Sequence, residues 1–226
     1  MPIIDKKLVC TSRTRDALTA FVLALLLPGL AILTSDTRAR CCCTDYGGMF
    51  THDCVFRLIA LTIMLFGTIR LKRVHSLARW MRAFLFVALS ILAFYMCSRL
   101  YYDIWRYYPV CTFTEIVLRA LSILAVGLLP VIISDFAIHL DNEYLRIQAR
   151  LIGILYFLVK GLSLCIFEAV IPTHQCRLWN DIPFWFGNGV ILGCILVDLA
   201  VVLLVVRAIK AIKADPEETC EKQPHL

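Results

Sequence analysis

The sequence predicts an all-α integral membrane protein, a compact bundle of about six transmembrane helices with both termini in the cytoplasm. Hydrophobic residues make up 60% of the 226 residues and charged residues only 18%, and the mean hydropathy is +0.78. This composition is too apolar for an ordinary soluble domain. The apolar residues are gathered in long runs, and the basic residues lie mainly between alternate runs. These three observations together define the class and the orientation.

Six apolar runs are long enough to cross a hydrocarbon core of about 30 Å at about 1.5 Å per residue. Lipid offers the backbone no hydrogen-bond partner, so runs that lack alternation predict helices rather than barrel strands. The predicted transmembrane spans are residues 17–33, 55–69, 83–98, 116–134, 151–172 and 185–206. The segments between the spans are too short for a separate domain, so we expect one helical domain over residues 17–206.

The first span follows four basic residues, which is also how a secretory signal peptide begins. Its apolar part is longer than the usual signal core, and Leu33, Thr34 and Ser35 fit poorly to a cleavage site. We therefore expect a retained signal-anchor helix; if it is cleaved, five helices remain.

The second and third spans are the shortest of the six. The first and fourth spans contain residues that interrupt helices, Pro28–Gly29 in the first and Gly127 with Pro130 in the fourth. These residues predict kinks, which transporters use at binding sites and which ordinary membrane helices also tolerate. The fifth and sixth spans are the longest and carry the charges discussed below.

Most of the 23 Lys and Arg residues lie on one side of the membrane if both ends are cytoplasmic. They occupy residues 1–16, the loops after the second and fourth spans, and the tail 207–226, which is first basic and then acidic. This is the bias that the positive-inside tendency describes. The net charge of +6 is thus explained by contact with the lipid bilayer, and nucleic acid is not an expected partner.

Lys160 and Asp198 place opposite charges inside the fifth and sixth spans, at depths that match to about one helical turn. Successive helices joined by a short loop are normally antiparallel neighbours, so we predict that the two side chains meet. Pairing lowers the cost of a charge in the bilayer, which is roughly 2.5–3.5 kcal/mol on insertion scales. The pair is either an interhelical clamp or part of a proton or ion relay.

A second set of polar residues is predicted nearer the outer surface. Arg119 in the fourth span has Glu115 one turn away, at the spacing of a local ion pair. Glu168 in the fifth span and Asn188 in the sixth lie at a similar depth. We expect these four residues to form an interfacial polar cluster.

The sixth span also contains Gly189 and Gly193, four residues apart, a pattern that lets membrane helices approach closely. Asp198 points roughly 140–180° away from these glycines at about 100° per residue. Two opposite faces of this helix therefore require protein contact. We expect the helix to be central in the bundle, or its glycine face to meet a second subunit, with internal packing favoured.

Six of the eleven cysteines fall on the outer side of this topology. An even number on the oxidising side predicts disulfide bonds that join the outer loops. The six are Cys41, Cys42, Cys43, Cys54, Cys111 and Cys176. A zinc site that includes His52 is the alternative, but adjacent cysteines lack the spacing of a zinc knuckle, so no metal is predicted.

Asp135, His139 and Glu143 recur at every fourth residue by the inner end of the fourth span. At this spacing we expect them to form a single stripe. Such a stripe could bind cations or protons, although charged stripes at solvated helix ends are common, and we favour that interpretation.

No catalytic or cofactor-binding motif is present. The five histidines are not spaced as in a metalloprotease, and no nucleophile elbow occurs, so we expect neither an enzyme nor a cofactor. Two functions remain: an accessory or interaction component for other membrane proteins, which we favour, or a small transporter or channel with Lys160 and Asp198 near the pathway. The partner is a membrane protein or a second copy, in the plasma membrane or the endoplasmic reticulum.

Overall fold

The computed structural model describes residues 12–34, 46–71, 74–101, 108–170 and 184–214. These residues form six α-helices, and no strand occurs among them. The helices are α1 Ser12–Thr34, α2 Tyr46–Leu71, α3 Leu77–Tyr101, α4 Tyr108–His139, α5 Glu143–Val170 and α6 Phe184–Ala214. The predicted fold class, an all-helical membrane bundle, is confirmed.

The described part of each predicted span lies within one observed helix, and the helices extend further toward the polar flanks. For example, α5 begins at Glu143 rather than at residue 151, and α6 ends at Ala214 rather than at residue 206. Helical hydrogen bonds are local, so they continue through polar residues beyond the apolar run. Residues 171 and 172 of the fifth predicted span lie outside the described residues.

Two short connections join helices at the same end of the bundle. Between α4 and α5, Asp141 adopts a left-handed conformation with φ 52°, which short polar side chains tolerate. Asn142 Oδ1 then accepts a hydrogen bond of 2.9 Å from the Leu145 N–H and caps α5. Between α2 and α3, the Val74 N–H bonds to the Leu71 carbonyl at 2.9 Å.

The α4–α5 turn corrects one expectation. Asp135 and His139 belong to α4, whereas Glu143 opens α5 on the other side of the turn. The three residues therefore do not form a stripe on one helix. The Asp141–Asn142 pair supplies the turn chemistry that ends α4, and the periodic spacing across it was misleading.

The helices form a closed ring in chain order. Each helix packs against the next one along the chain, and α6 packs against α1 to close the ring. Helix α4 also touches α6 across the interior. Helices α1, α3 and α5 begin, and α2, α4 and α6 end, at the end that carries most of the described arginines; we call it the basic end.

The interior of the ring is filled by apolar side chains. Phe21 of α1, Met81 of α3 and Phe136 of α4 are among the largest fully buried side chains. A close contact explains why residue 127 of α4 is a glycine, because a Cβ at Gly127 would overlap the Phe157 ring of α5. Helix α4 runs unbroken through Pro130, whose Cβ lies opposite Gly153 of α5. These small residues allow α4 and α5 to pack closely.

Among the described residues, four helices are long and apolar enough to cross a membrane. Their apolar windows are Leu77–Phe94, Ile116–His139, Glu143–Cys165 and Leu192–Ile212. The outward faces of α5 and α6 are formed by leucines and isoleucines, which lipid would cover. The protein is therefore embedded in a membrane through at least these helices.

Candidate functional site

Lys160 lies on the face of α5 that points into the ring. Tyr156, one turn before it, and Ser163, one turn after it, are both buried. Residues at these spacings share one face of a helix, so the three form a polar stripe on the inner side of α5. Helical periodicity places Lys160 between the sides of α5 that pack on α4 and on α6, and its flexible stem can reach either neighbour.

The structure brings Lys160 and Asp198 together. Lys160 Nζ donates a hydrogen bond of 2.6 Å to Asp198 Oδ2, which makes a direct ion pair between α5 and α6. The lysine side chain is 18% exposed and the aspartate side chain 37% exposed. Lys160 Nζ also lies 6.0 Å from the centroid of the Tyr156 ring, at the limit of a cation–π contact.

This pair neutralises two charges deep in the bundle. Lys160 follows the start of α5 by 17 residues, or about 25 Å, which is well inside a bilayer when the helix ends lie at its surface. The cost of a charge at that depth is reduced when an opposite charge accepts its hydrogen bonds. The contact also fixes the register of α5 against α6, since the two groups meet only at one relative height.

The glycine face and the Asp198 face of α6 both contact α5. A Cβ at Gly193 would lie 3.7 Å from Val159 Cγ1 of α5, an ordinary van der Waals distance, so this glycine faces α5. Gly189 is one turn further out, and a Cβ there would have no described atom within 4 Å. Asp198 lies about 180° from Gly189 around the helix. Helix α5 thus supplies the contact at Gly193 and the contact at Asp198.

The predicted interfacial cluster falls largely outside the described side chains. The side chains of Glu115, Glu168 and Asn188 lie outside the described residues, and Arg119 is half-buried on α4. The association of these four residues therefore stays a prediction.

The six outer cysteines also lie outside the described side chains. Cys41, Cys42, Cys43 and Cys176 fall in segments that the described ranges omit, whereas Cys54 and Cys111 are described only as positions in α2 and α4. Cys165 of α5 and Cys194 of α6 are free thiols. The structure thus gives no support to the predicted disulfides, which stay a prediction.

A buried histidine contact was not predicted from the sequence. His75 Nδ1 accepts the Leu77 N–H at 3.1 Å, so its other nitrogen carries the ring proton. The Nε2–H group of His75 donates a hydrogen bond of 2.8 Å to Asp135 Oδ2 of α4. The His75 side chain is only 1% exposed and packs edge-on against the Phe136 ring at 6.2 Å.

Further polar contacts tie helices together at the basic end. Arg70 of α2 pairs with Asp16 of α1 at 2.9 Å. Arg207 Nη1 of α6 donates to Gln148 Oε1 of α5 at 2.7 Å. The only indication of these contacts in the sequence was that the paired residues lie at a similar distance beyond the ends of their apolar runs. This distance alone leaves many pairings open.

In the described part of the chain, no three His, Cys, Asp or Glu side chains come close enough together to hold an ion. Some of the polar groups there join two helices, as Arg70 with Asp16 and Lys160 with Asp198 do.

Comparison of the chain with protein-family models, curated proteins and solved structures finds no match.

Proposed function

We propose that this chain is a non-enzymatic multi-pass membrane protein that acts as an interaction component for other membrane proteins. In this proposal all six helices span the bilayer and both termini face the cytoplasm. The Lys160–Asp198 pair is then a clamp that sets the register of α5 and α6. The membrane is the plasma membrane or that of the endoplasmic reticulum.

The observation that carries the proposal is the direct contact between the two charged groups of this pair. At 2.6 Å the ammonium and the carboxylate are in direct contact, and the contact joins two adjacent helices. Other polar contacts, from Arg70 to Asp16 and from His75 to Asp135, also join segments that are distant in the sequence. Because these polar groups bond to one another and hold the bundle together, they favour a rigid protein that presents its surface to a partner.

The orientation is supported by charge at the basic end. Arg79, Arg150 and Lys210 are exposed there, in addition to the arginines that bond to other helices. Basic residues next to membrane spans are retained on the cytoplasmic side. Because the basic end carries the first residue of α1 and the last residue of α6, both termini would be cytoplasmic.

The experiment is purification from native membranes in mild detergent, followed by the intact mass and the composition of the particle. A foreign membrane protein at fixed stoichiometry is the expected result. The particle should keep that stoichiometry in the variant Lys160→Met/Asp198→Leu, since an apolar pair preserves the packing of a clamp. A particle that contains only this chain would contradict the accessory role.

The proposed disulfides have a separate test. We expect Cys54, Cys111 and Cys176 to pair with the cluster at residues 41–43 and so to join the outer loops. A native sample should then migrate differently with and without reductant, and thiol labelling before reduction should miss these six cysteines. Unchanged migration together with labelling of all cysteines would exclude the bonds.

The exposure of Asp198 favours a second candidate, a small transporter or channel. More than a third of the aspartate side chain is open, and its partner belongs to the polar stripe of Tyr156, Lys160 and Ser163 inside the ring. A stripe of this kind could line a path for protons or ions.

Water access discriminates the two functions. The variant Ser163→Cys keeps the ion pair intact and places a thiol on the same stripe as Lys160→Cys. Labelling of both variants by membrane-impermeant thiol reagents from the two sides, above the background of the native cysteines, would establish a pathway. Absence of labelling at both positions is expected of a clamp.

A further inference from the structure

We propose that the membrane-facing surface between α5 and α6 at the basic end binds an anionic phospholipid of the adjacent leaflet. The surface is formed by Gln148, Leu151 and Leu155 of α5 and by Leu203, Arg207 and Lys210 of α6, and we call it the α5–α6 basic face. This inference rests on the membrane embedding of the chain and is independent of the interaction role proposed above.

The two cations of this face lie on the same side of α6 as a stripe of exposed leucines and directly follow it. Leu199 and Leu203 are exposed on the outer side of α6, and Arg207 follows Leu203 by one turn. Lys210 follows Arg207 at the next helical spacing and is also exposed. Residues at these spacings lie on one side of a helix. The face thus changes from hydrocarbon-like to cationic over about one turn, as the chains and headgroup of a phospholipid do.

Helix α5 supplies a matching edge. Leu151 and Leu155 are exposed, and Gln148 lies one turn before Leu151 on the same side. The hydrogen bond of 2.7 Å from Arg207 to Gln148 holds the polar ends of the two edges together. Tyr144, one turn before Gln148, is 69% exposed and adds a hydroxyl group near the headgroup level.

Among the described residues, Arg207 is held by a neutral acceptor and not by a carboxylate. Arg70 and Arg146, at the same end, each pair with a carboxylate, that of Asp16 or Glu143. The described partner of Arg207 is instead the amide oxygen of Gln148, which has no net charge. A guanidinium held by a neutral acceptor keeps its full charge and four remaining N–H donors, which suit phosphate oxygens.

Phospholipid fits this surface better than a soluble anion. A soluble anion would use the two cations and leave the exposed leucines without a partner, whereas a phospholipid would cover both. The net positive charge selects a headgroup with net negative charge over the zwitterionic phosphatidylcholine. The ligand class is therefore a phosphodiester headgroup with a net negative charge, attached to acyl chains.

The test measures the melting temperature of the purified full chain in neutral detergent during titration with dioctanoyl phosphatidylglycerol. We expect stabilisation by this lipid, little by dioctanoyl phosphatidylcholine, and a weaker effect at high salt. Apparent affinity should fall about fivefold for each cation removed in Arg207→Gln and Lys210→Gln. The matched control is Arg79→Gln/Arg82→Gln, which removes two cations from α3 at the same end and should keep the wild-type response.

A second variant remains informative if Arg207→Gln fails to fold. Gln148→Glu keeps the interhelical contact as an ion pair and neutralises Arg207 without removing it. This variant should be at least as stable as wild type, and its apparent affinity for phosphatidylglycerol should fall about fivefold, as in Arg207→Gln.

Three outcomes would overturn the inference. The first is an equal response to phosphatidylglycerol and phosphatidylcholine. The second is a wild-type response in the Arg207→Gln/Lys210→Gln and Gln148→Glu variants. The third is an equal response to glycerophosphoglycerol or inorganic phosphate, which would assign the cations to a soluble anion.

Discussion

His75 Nε2 lies 2.8 Å from Asp135 Oδ2, and this bond ties the turn between α2 and α3 to the last part of α4. The same imidazole accepts the Leu77 N–H through Nδ1, so it also caps the first turn of α3. One buried side chain therefore holds three helices together at the basic end, and its loss leaves two polar groups without their partner.

We expect His75→Ala to lower the free energy of unfolding by about 1–3 kcal/mol, because the Leu77 N–H and the Asp135 carboxylate both lose a hydrogen bond. Asp135→Asn should cost less, since the amide oxygen can still accept from Nε2. The measurement is reversible unfolding in mixed detergent micelles. The control is His139→Ala, a half-buried histidine at the end of α4, and a loss as large as that of His75→Ala would contradict the assigned role.

The Lys160–Asp198 pair should show strong coupling. Asp198→Leu leaves an uncompensated lysine inside the bundle and should destabilise it by up to about 3 kcal/mol. The double variant Lys160→Met/Asp198→Leu should recover most of that loss, because apolar replacement of a buried pair is often close to neutral. A double-mutant cycle measures the coupling, and additive effects of the two single changes would show that the charges do not interact.

Two glycines provide a matched test of the packing of α4 on α5. Gly127→Ala would place a Cβ against the Phe157 ring and should cost about 1–3 kcal/mol. Gly161→Ala meets no atom within 4 Å and should be neutral, or stabilising by up to about 1 kcal/mol, since alanine favours the helix. Thermal unfolding of the two variants gives the comparison, and Phe157→Leu should rescue only the first.

The α4–α5 turn depends on its two polar residues. Asp141→Val should destabilise the protein by about 1–2 kcal/mol, because a β-branched side chain is strained at φ 52°, whereas Asp141→Gly should be tolerated. Asn142→Ala removes the cap on the Leu145 N–H and should cost about 1 kcal/mol. Equal stability of Asp141→Val and Asp141→Gly would rule out backbone strain as the cause.

Local patterns in the sequence were sufficient to predict the helices and one contact between them. Apolar runs predicted where each helix lies, because burial in lipid acts on every side chain of a span alike. The predicted contact of Lys160 with Asp198 needed only matching depth on neighbouring helices, since these are the charged residues of the inner parts of α5 and α6. The boundaries were less accurate, because helices continue into water without an apolar signal.

The contacts at the basic end could not be predicted in the same way. Several arginines and acids share one depth there, and the sequence does not say that Arg70 meets Asp16 or that Arg207 meets Gln148. The stripe expected of Asp135, His139 and Glu143 was wrong because a two-residue turn separates the last of them from the others.

The sequence by itself determined that this protein lies in lipid and which of its segments are helical, because transfer into lipid depends on composition and length along the chain. The tertiary structure decided the order of helices around the ring and the partners of His75 and Arg207. These depend on which faces of distant segments meet. That choice follows from the fit of side chains such as Phe157 against Gly127, which hydropathy does not describe.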